Sequence, residues 1–263
     1  MGDIAKLEVP DAFREKYKSS YFDSSKIQLS SPRYVAWVDL MGSSSAMRRS
    51  HVQAAVAIGQ FHSTIMTASN DTRFLNKGKI YPLVDGVYIT TTSRTKLQEF
   101  MKYIFKLNCI NFILTDNFAN LRPIRGAIAF GQVIEGENIK NSSFVLEKNF
   151  DSHTSKVLLG APLALAHSAE RKASPMGVWI DESARQFCPA NGKTIRWTNW
   201  PWWGYKTDKE KIDSDCVDIE KMTARKLNEY YEWLKNNYIS ALYEKDRLND
   251  HMEKARQYFP SWI

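Results

Sequence analysis

The chain has 263 residues, of which 43% are hydrophobic and 13% aromatic, enough for the core of one large domain. Its net charge of +7 is spread along the chain, and such a charge serves equally to bind a nucleotide, to bind a nucleic acid or only to keep the protein in solution. No apolar run is long enough for a membrane span, residues 1–13 lack a signal-peptide pattern, and three cysteines without paired spacing indicate reduced thiols, so we expect a cytoplasmic protein.

The first half of the chain predicts alternating strands and helices. Residues 34–39 predict a strand, and apolar residues at helical spacing predict a helix from Met47 to about Thr67. Residues 78–92 predict two strands joined at Asp85-Gly86, a dipeptide typical of hairpin turns. An amphipathic helix is predicted from Thr95 to about Phe118.

The next segment completes a recognisable element order. We predict a fourth strand over 123–134, a helix from about Ala161 to Lys172, a strand over 176–181 and a short helix over 182–187. This order indicates an α+β fold, a ferredoxin-like β-α-β-β-α-β core with additional strands.

The last part of the chain has a different character. Residues 193–205, KTIRWTNWPWWGY, hold four of the eight tryptophans and predict a terminal strand. From Asp218 onward the sequence is charged, periodic and helical. We therefore expect an N-terminal segment (1–30), a core (31–190) and an extension (191–263) that packs on the core or on a dimer partner.

Two aspartates stand at the ends of predicted neighbouring strands. Asp39 ends the first strand, and Asp85 lies at the hairpin turn. Two adjacent carboxylates repel each other unless a cation lies between them, and hard divalent cations take carboxylates together with phosphate oxygens. An Asp-Gly turn or an aspartate before a helix is more often structural. Their joint placement nevertheless predicts a metal site.

The residues after Asp39 suit a phosphate. The segment LMGSSS brings a glycine and several backbone N–H groups to a helix start, and the amides of Met41, Gly42, Ser43 and Ser44 are candidates to bind a triphosphate. The two features together predict two-metal chemistry on a nucleoside triphosphate.

Four segments carry a family resemblance, which covers about residues 34–187. VAWVDLMGSS, IYPLVDGVYI, PIRGAIAFGQVI and VLLGAPLALAHSAERKA…MGVWID resemble, in this order, the catalytic core of the class III nucleotidyl cyclases. The resemblance implies that Asp39 and Asp85 bind two Mn²⁺ or Mg²⁺ ions, with the Leu40 carbonyl as a further ligand. It also implies a homodimer with composite sites, in which one subunit supplies the metals and the other contacts base and ribose.

The chain departs from the family at the positions that read purines. The lysine that reads adenine in adenylate cyclases is replaced by Tyr81, and its acidic partner by Val157. Purine cyclase activity is therefore in doubt. Tyr81 and Trp37 are candidates for a base pocket, although an aromatic residue on a strand is more often part of the core.

The chain also departs at the residues that hold ribose and the transition state. The family's asparagine and arginine fall on Ala164 and Ser168. We expect Arg171 or Arg125 to supply the missing positive charge. The alternatives are a solvated arginine at Arg171 and a structural ion pair at Arg125.

These departures resemble the pyrimidine cyclases of the bacterial Pycsar anti-phage systems. That resemblance implies conversion of UTP, or with less support CTP, to the 3′,5′-cyclic nucleotide and pyrophosphate, as a signal to a separately encoded effector. The alternatives are an adenylate or guanylate cyclase and a catalytically degenerate cyclase domain that serves as a regulatory binding module. An RNA-binding domain is disfavoured, because AWVDL and GAIAF lack the required exposed aromatic and basic pattern, and we expect no nucleic-acid or membrane partner.

Overall fold

The computed structural model describes residues 10–17, 22–143, 146, 154–187, 198–204 and 215–262. It divides into two compact units, one made of Met1–Ser31 and Gln132–Gly160 and the other of Pro32–Gly131 and Ala161–Ile263. This division differs from the sequence-based boundaries at residues 30 and 190. The C-terminal helices belong to the unit that contains the large sheet, and the N-terminal segment belongs with a later loop region.

Strands and helices are interspersed along the described part of the chain. The strands are β1 (Arg33–Leu40), β2 (Gly78–Pro82), β3 (Gly86–Thr91), β4 (Ile124–Gly131), β5 (Ile134–Glu135), β6 (Leu158–Leu159), β7 (Val178–Ile180) and β8 (Asn199–Trp200). The α-helices are α1 (Asp11–Lys16), α2 (Ser43–Arg49), α3 (His51–Thr72), α4 (Arg94–Leu114), α5 (Gly136–Ile139), α6 (Ala161–Glu170), α7 (Asp215–Asn237) and α8 (Lys245–Tyr258).

A six-stranded sheet organises the larger unit. Its strand order is β2-β3-β1-β4-β7-β8, and β1 is antiparallel to both β3 and β4, whereas β4 and β7 are parallel. The predicted α+β fold with its β-α-β-β-α-β order is therefore confirmed. The smaller unit contains the antiparallel pair β5–β6 and the short helix α5.

The central strand β1 is covered on both faces, which explains its nearly continuous apolar sequence. Val38 belongs to the main core with Phe61 of α3 and Phe105 of α4. Trp37 points to the opposite face, because side chains alternate along a strand, and its ring lies 5.5 Å from that of His167 on α6.

Two of the predicted helices are each divided into two in the structure. Ser50 has an extended backbone and separates α2 from α3, so the helix predicted over 47–67 is wrong as one continuous element. The Ser50 side chain accepts a hydrogen bond from the Gln53 N–H and caps α3. In the extension, the segment 238–244, called the α7–α8 turn below, interrupts the predicted helix, with Leu242 in the left-handed region at φ 51°.

The remaining elements differ from the predictions mainly at their ends. The fourth strand stops at Gly131 and residues 182–187 form a 3₁₀ turn. The tryptophan-rich segment contributes the short strand β8, and the buried Trp202 side chain donates to the Met176 carbonyl over 2.9 Å. The flanking residues 188–197 and 205–214 lie outside the described part of the chain. No helix among the described residues is long and apolar enough to cross a membrane.

Candidate active site

Asp39 lies at the centre of the sheet, one residue before the end of β1. It is paired with Gly86 of β3 on one side and with Arg125 of β4 on the other. Asp85 directly precedes β3, and its carbonyl oxygen accepts a hydrogen bond of 2.9 Å from the backbone N–H of Leu40. The antiparallel pairing thus brings Asp39 and Asp85 to the same end of adjacent strands.

The surroundings of Asp39 disfavour its charge. The pKa of its carboxyl is raised to about 7, first by burial and then by the negative charges of Glu170 and Asp85, while Arg125 opposes the shift. The charges of Glu170 and Asp85 therefore both repel a charge on Asp39, and Arg125 offsets part of this repulsion. An additional cation near Asp39 and Asp85 would relieve this repulsion.

These residues fit a hard divalent cation. Carboxylate oxygens are the ligands that Mg²⁺ and Mn²⁺ prefer, and such ions usually keep one or two carboxylates and take water and phosphate oxygens for the rest. No cluster of three or more His, Cys, Asp or Glu side chains in the described ranges could by itself hold a metal. The protein would therefore supply Asp39, Asp85 and a backbone oxygen such as that of Leu40, and the substrate would complete the shell.

The turn after β1 depends on a glycine. Gly42 has φ 78° and ψ 11°, a left-handed conformation that costs other residues free energy, and it leads directly into α2. The backbone N–H of Met41 already donates to the Pro123 carbonyl over 2.9 Å, which disfavours the predicted contact of the Met41 amide with phosphate. Gly42, Ser43 and Ser44 remain candidates.

Ser43 has a contact that the sequence does not reveal. Its hydroxyl donates to the Asp85 carboxylate, and the residue is 6% exposed. The side chain therefore orients Asp85, whereas the sequence indicates only a role for the Ser43 amide.

Aromatic residues form a row across the face of the sheet that carries Asp39. Trp37 is paired with Tyr88 of β3, and Tyr88 with Tyr81 of β2. Trp37 is only 5% exposed, and its ring lies 4.5 Å from that of Tyr88. A Cβ atom on Gly86 would lie 2.2 Å from the Trp37 ring, so the tight packing of Trp37 requires glycine there. Tyr81 and Tyr88 are partly exposed and offer more surface to a base than Trp37 does.

The two candidate arginines have different surroundings. Arg125 forms an ion pair with Glu170, with the side chains 16% and 5% exposed, so the alternative of a structural ion pair is present in the structure. Arg171 follows the end of α6 and is exposed, as are Ala164 and Ser168 on that helix. Only Arg125 of these two acts on Asp39 within the same subunit.

Arg125 is surrounded by three residues that were not among the sequence-based predictions: Glu170, Tyr243 and His251. The guanidinium Nη1 lies 3.3 Å from His251 Nε2, and the Tyr243 hydroxyl is hydrogen-bonded to His251 Nδ1. A signal was present, because His251 falls among the apolar positions of the last helix with Leu248, Met252 and Ala255. A histidine on the buried face of a helix needs polar partners.

Comparisons with known proteins give only distant similarities. No family model matches the chain, and no curated protein matches its sequence. Among solved structures, a dimeric guanylyl cyclase domain from the fungus Blastocladiella emersonii is 13% identical over 61% of this chain and 84% of that chain, with a TM-score of 0.47. A bacterial light-regulated adenylyl cyclase is 14% identical over 64% and 48%, with a TM-score of 0.46. An adenylate cyclase from Trypanosoma brucei is 11% identical over 61% and 78%, with a TM-score of 0.45. At these values, the function has to be argued from the chain's own residues.

Proposed function

We propose that this chain is a nucleotidyl cyclase that depends on a divalent metal. In the reaction, the ribose 3′-oxygen of a nucleoside triphosphate bonds to the α-phosphorus, the bond to pyrophosphate breaks, and the 3′-hydroxyl loses its proton. The observation that carries the proposal is the meeting of Asp39 and Asp85 at the end of β1, where Ser43 holds Asp85.

Each part of the site has a task in this reaction. Asp39, Asp85 and the Leu40 carbonyl are the ligands for the metal ions. Mn²⁺ or Mg²⁺ bound there would neutralise the triphosphate and lower the pKa of the 3′-hydroxyl. The Gly42 turn brings the backbone close to the phosphates, and Arg125 adds the one positive charge that acts on Asp39 from β4.

We further propose a pyrimidine substrate, UTP before CTP. Tyr81 stands where the resemblance to adenylate cyclases places the adenine-reading lysine, and Tyr81 and Tyr88 present a partly exposed aromatic surface. A pocket without the hydrogen-bonding groups for a purine edge binds purines weakly. The resemblance to Pycsar cyclases supports the further proposal that the cytoplasmic product signals phage infection to a separately encoded effector.

A purine cyclase is the second candidate. Lys79 lies two residues before Tyr81 on β2, and because side chains alternate along a strand, both belong to the same face of the sheet. A lysine near the base-reading position favours adenine recognition from a shifted position. ATP and GTP are therefore included as substrates in the turnover assay described below.

The homodimer with composite sites also belongs to the proposal. The exposed positions of Ala164, Ser168 and Arg171 on and after α6 support it, because these residues are accessible to a partner subunit. In this arrangement, Arg171 would act on the triphosphate bound to the other subunit.

The experiment is a turnover assay with each of the four ribonucleoside triphosphates and Mn²⁺, with products identified by mass. Asp39→Asn is the matched control, because it keeps the side-chain volume and removes the charged ligand. A cyclic pyrimidine nucleotide made only by the wild type would support the full proposal. Cyclic AMP or cyclic GMP would support the second candidate. A folded protein that neither turns over nor binds any nucleotide with Mn²⁺ would contradict cyclase activity, and nucleotide binding without turnover would favour the degenerate binding module.

A further inference from the structure

The C-terminal helices and the turn between them contact strand β4 beside Asp39 and helix α2 after it. On the strand side, His251 of α8 is hydrogen-bonded to Arg125 of β4, the strand neighbour of Asp39. On the loop side, the carbonyl of Leu242 in the α7–α8 turn accepts a hydrogen bond of 2.9 Å from the Ser45 hydroxyl on α2. These two contacts come from residues nine positions apart, and together they span the end of β1.

The contact with Arg125 determines the protonation of His251. A guanidinium group has only N–H donors, so Nε2 of His251 must accept. A neutral imidazole then carries its one proton on Nδ1, and that N–H donates to the Tyr243 oxygen. Burial first and then the charge of Arg125 lower the pKa of His251 to about 3, so the ring is neutral at neutral pH.

Arg125 is thereby held from two sides. Its Nε donates to Glu170 at the end of α6, and its Nη1 donates to His251. A charged side chain that is mostly buried and hydrogen-bonded at both ends has few other orientations. The orientation of Arg125 beside Asp39 thus depends on the C-terminal extension.

We propose that His251 and Tyr243 are positioning residues of the proposed cyclase site, and that the α7–α8 turn and α8 act through them to orient Arg125 beside Asp39. This inference rests on the proposed function for its catalytic consequence. Its structural part, the restraint of Arg125 by α8, is measurable without turnover.

The first test observes Arg125 directly, by nitrogen-15 NMR of labelled arginine side chains with Arg125→Lys to assign the Nε–H resonance. We expect His251→Leu to speed the solvent exchange of this proton about tenfold or more, because the guanidinium then loses its contact at Nη1 and is held only by the bond from Nε to Glu170. His251→Gln should restore slow exchange, since its amide oxygen can accept from Arg125. Met252→Ala is the matched control, because it weakens the packing of α8 without touching Arg125.

The second test uses turnover of whichever nucleotide the wild type accepts. We expect His251→Leu to lower kcat about tenfold with little change in KM, and His251→Gln to recover most of it. Tyr243→Phe removes one oxygen and should have a smaller effect in the same direction, and it replaces His251→Leu if that variant does not fold. An unchanged Arg125 resonance in these variants, or an equal change in Met252→Ala, would overturn the inference. If the wild type turns over no nucleotide, the proposed function fails while the NMR result still decides the restraint.

Discussion

The hydroxyl of Ser43 donates a hydrogen bond to the carboxylate of Asp85, across forty-two positions of the sequence. Ser43 begins α2 and Asp85 lies in the turn before β3, so the bond joins the two loops that surround the end of β1. Such a donor orients the partly buried carboxylate, and ligand orientation strongly affects metal affinity.

Removal of this donor is the first prediction. Ser43→Ala should lower the free energy of unfolding by about 1.5 kcal/mol and the Mn²⁺ affinity by about tenfold, because Asp85 loses a charged hydrogen bond. Chemical denaturation and calorimetric titration with Mn²⁺ measure the two effects. Ser63→Ala makes the same change on the exposed surface of α3 and should leave the Mn²⁺ affinity unchanged and raise the free energy of unfolding by no more than about 0.5 kcal/mol. Equal behaviour of the two variants would argue against orientation of Asp85 by Ser43.

Asp39→Asn should separate stability from metal binding. Burial and neighbouring carboxyl groups raise the pKa of Asp39 from 3.8 to about 7 in the folded protein, so its ionisation costs the metal-free protein stability that builds up between these two values and is complete above pH 7. We expect the metal-free variant to gain about 1 kcal/mol at pH 8 and to lose the thermal stabilisation that Mn²⁺ gives the wild type. Thermal unfolding with and without Mn²⁺ checks both parts. A variant that is less stable and still responds to Mn²⁺ would exclude Asp39 as a ligand.

Two glycines offer opposite outcomes from the same substitution. Gly86→Ala places a methyl group within 2.2 Å of the Trp37 ring, and we expect a loss of about 2 kcal/mol or more in the free energy of unfolding, as in other overpacked sites. A Cβ atom added at Gly59 on α3 would meet nothing within 4 Å apart from its own stretch of helix, and Gly59→Ala should stabilise the helix by about 0.5–1 kcal/mol. Denaturant titration of both variants checks the signs. A neutral Gly86→Ala would show that Trp37 can move.

Acid should destabilise the protein through His251. Its folded pKa of about 3 lies below the unfolded value of 6.5, so the unfolded chain binds the proton first. The contribution of neutral His251 to the free energy of unfolding is complete above pH 6.5. It is lost at about 1.4 kcal/mol per pH unit as the pH falls toward 3. The charges that act on the ring are those of Arg125, Asp250, Lys254 and Arg247, and Tyr243 is hydrogen-bonded to its Nδ1.

In the wild type alone, the effect of His251 is partly masked, because Asp39, with its raised pKa, changes the stability in the opposite direction as the pH falls. Asp39 is present in both proteins, so the difference in stability between wild type and His251→Gln isolates the effect of His251. Unfolding measured from pH 7 to pH 4 should show a shallower loss of stability in His251→Gln. Parallel pH curves for the two proteins would mean that His251 is accessible to protons in the folded state.

Composite sites predict complementation between two inactive variants. Asp39→Asn damages the metal half of a site and Tyr81→Ala the base half, so a mixed dimer keeps one intact site. With random pairing, the mixture should recover about a quarter of the wild-type activity. The two variants assayed separately are the controls. A mixture as inactive as its components would indicate that each subunit holds a complete site.

Some features of the site follow from short-range patterns. The apolar run ending at Asp39 and the hairpin signal at Asp85-Gly86 predict two strand ends, and antiparallel pairing of neighbouring strands brings them together. Their metal binding stays a prediction, as does the role of Gly42 and Ser44 in phosphate binding. The helix break at Ser50 was not predicted, because a cap of one residue hardly changes the periodicity of a long apolar pattern.

The contacts that orient the site could not be predicted in the same way. Glu170 and His251 lie 45 and 126 residues from Arg125, and nothing in their local sequence specifies an arginine as partner. The engaged amide of Met41 is a further example, because its acceptor, Pro123, belongs to the loop before β4.

The sequence by itself determined the order of strands and helices and the position of two carboxylates at strand ends, because hydrophobic periodicity and turn chemistry act over a few residues. Only the tertiary structure decided that Ser43 orients Asp85, that Trp37 is buried under its neighbours, and that α8 reaches Arg125. Those outcomes depend on which side chains meet after the chain has packed, and burial then sets the charge of Asp39 and His251.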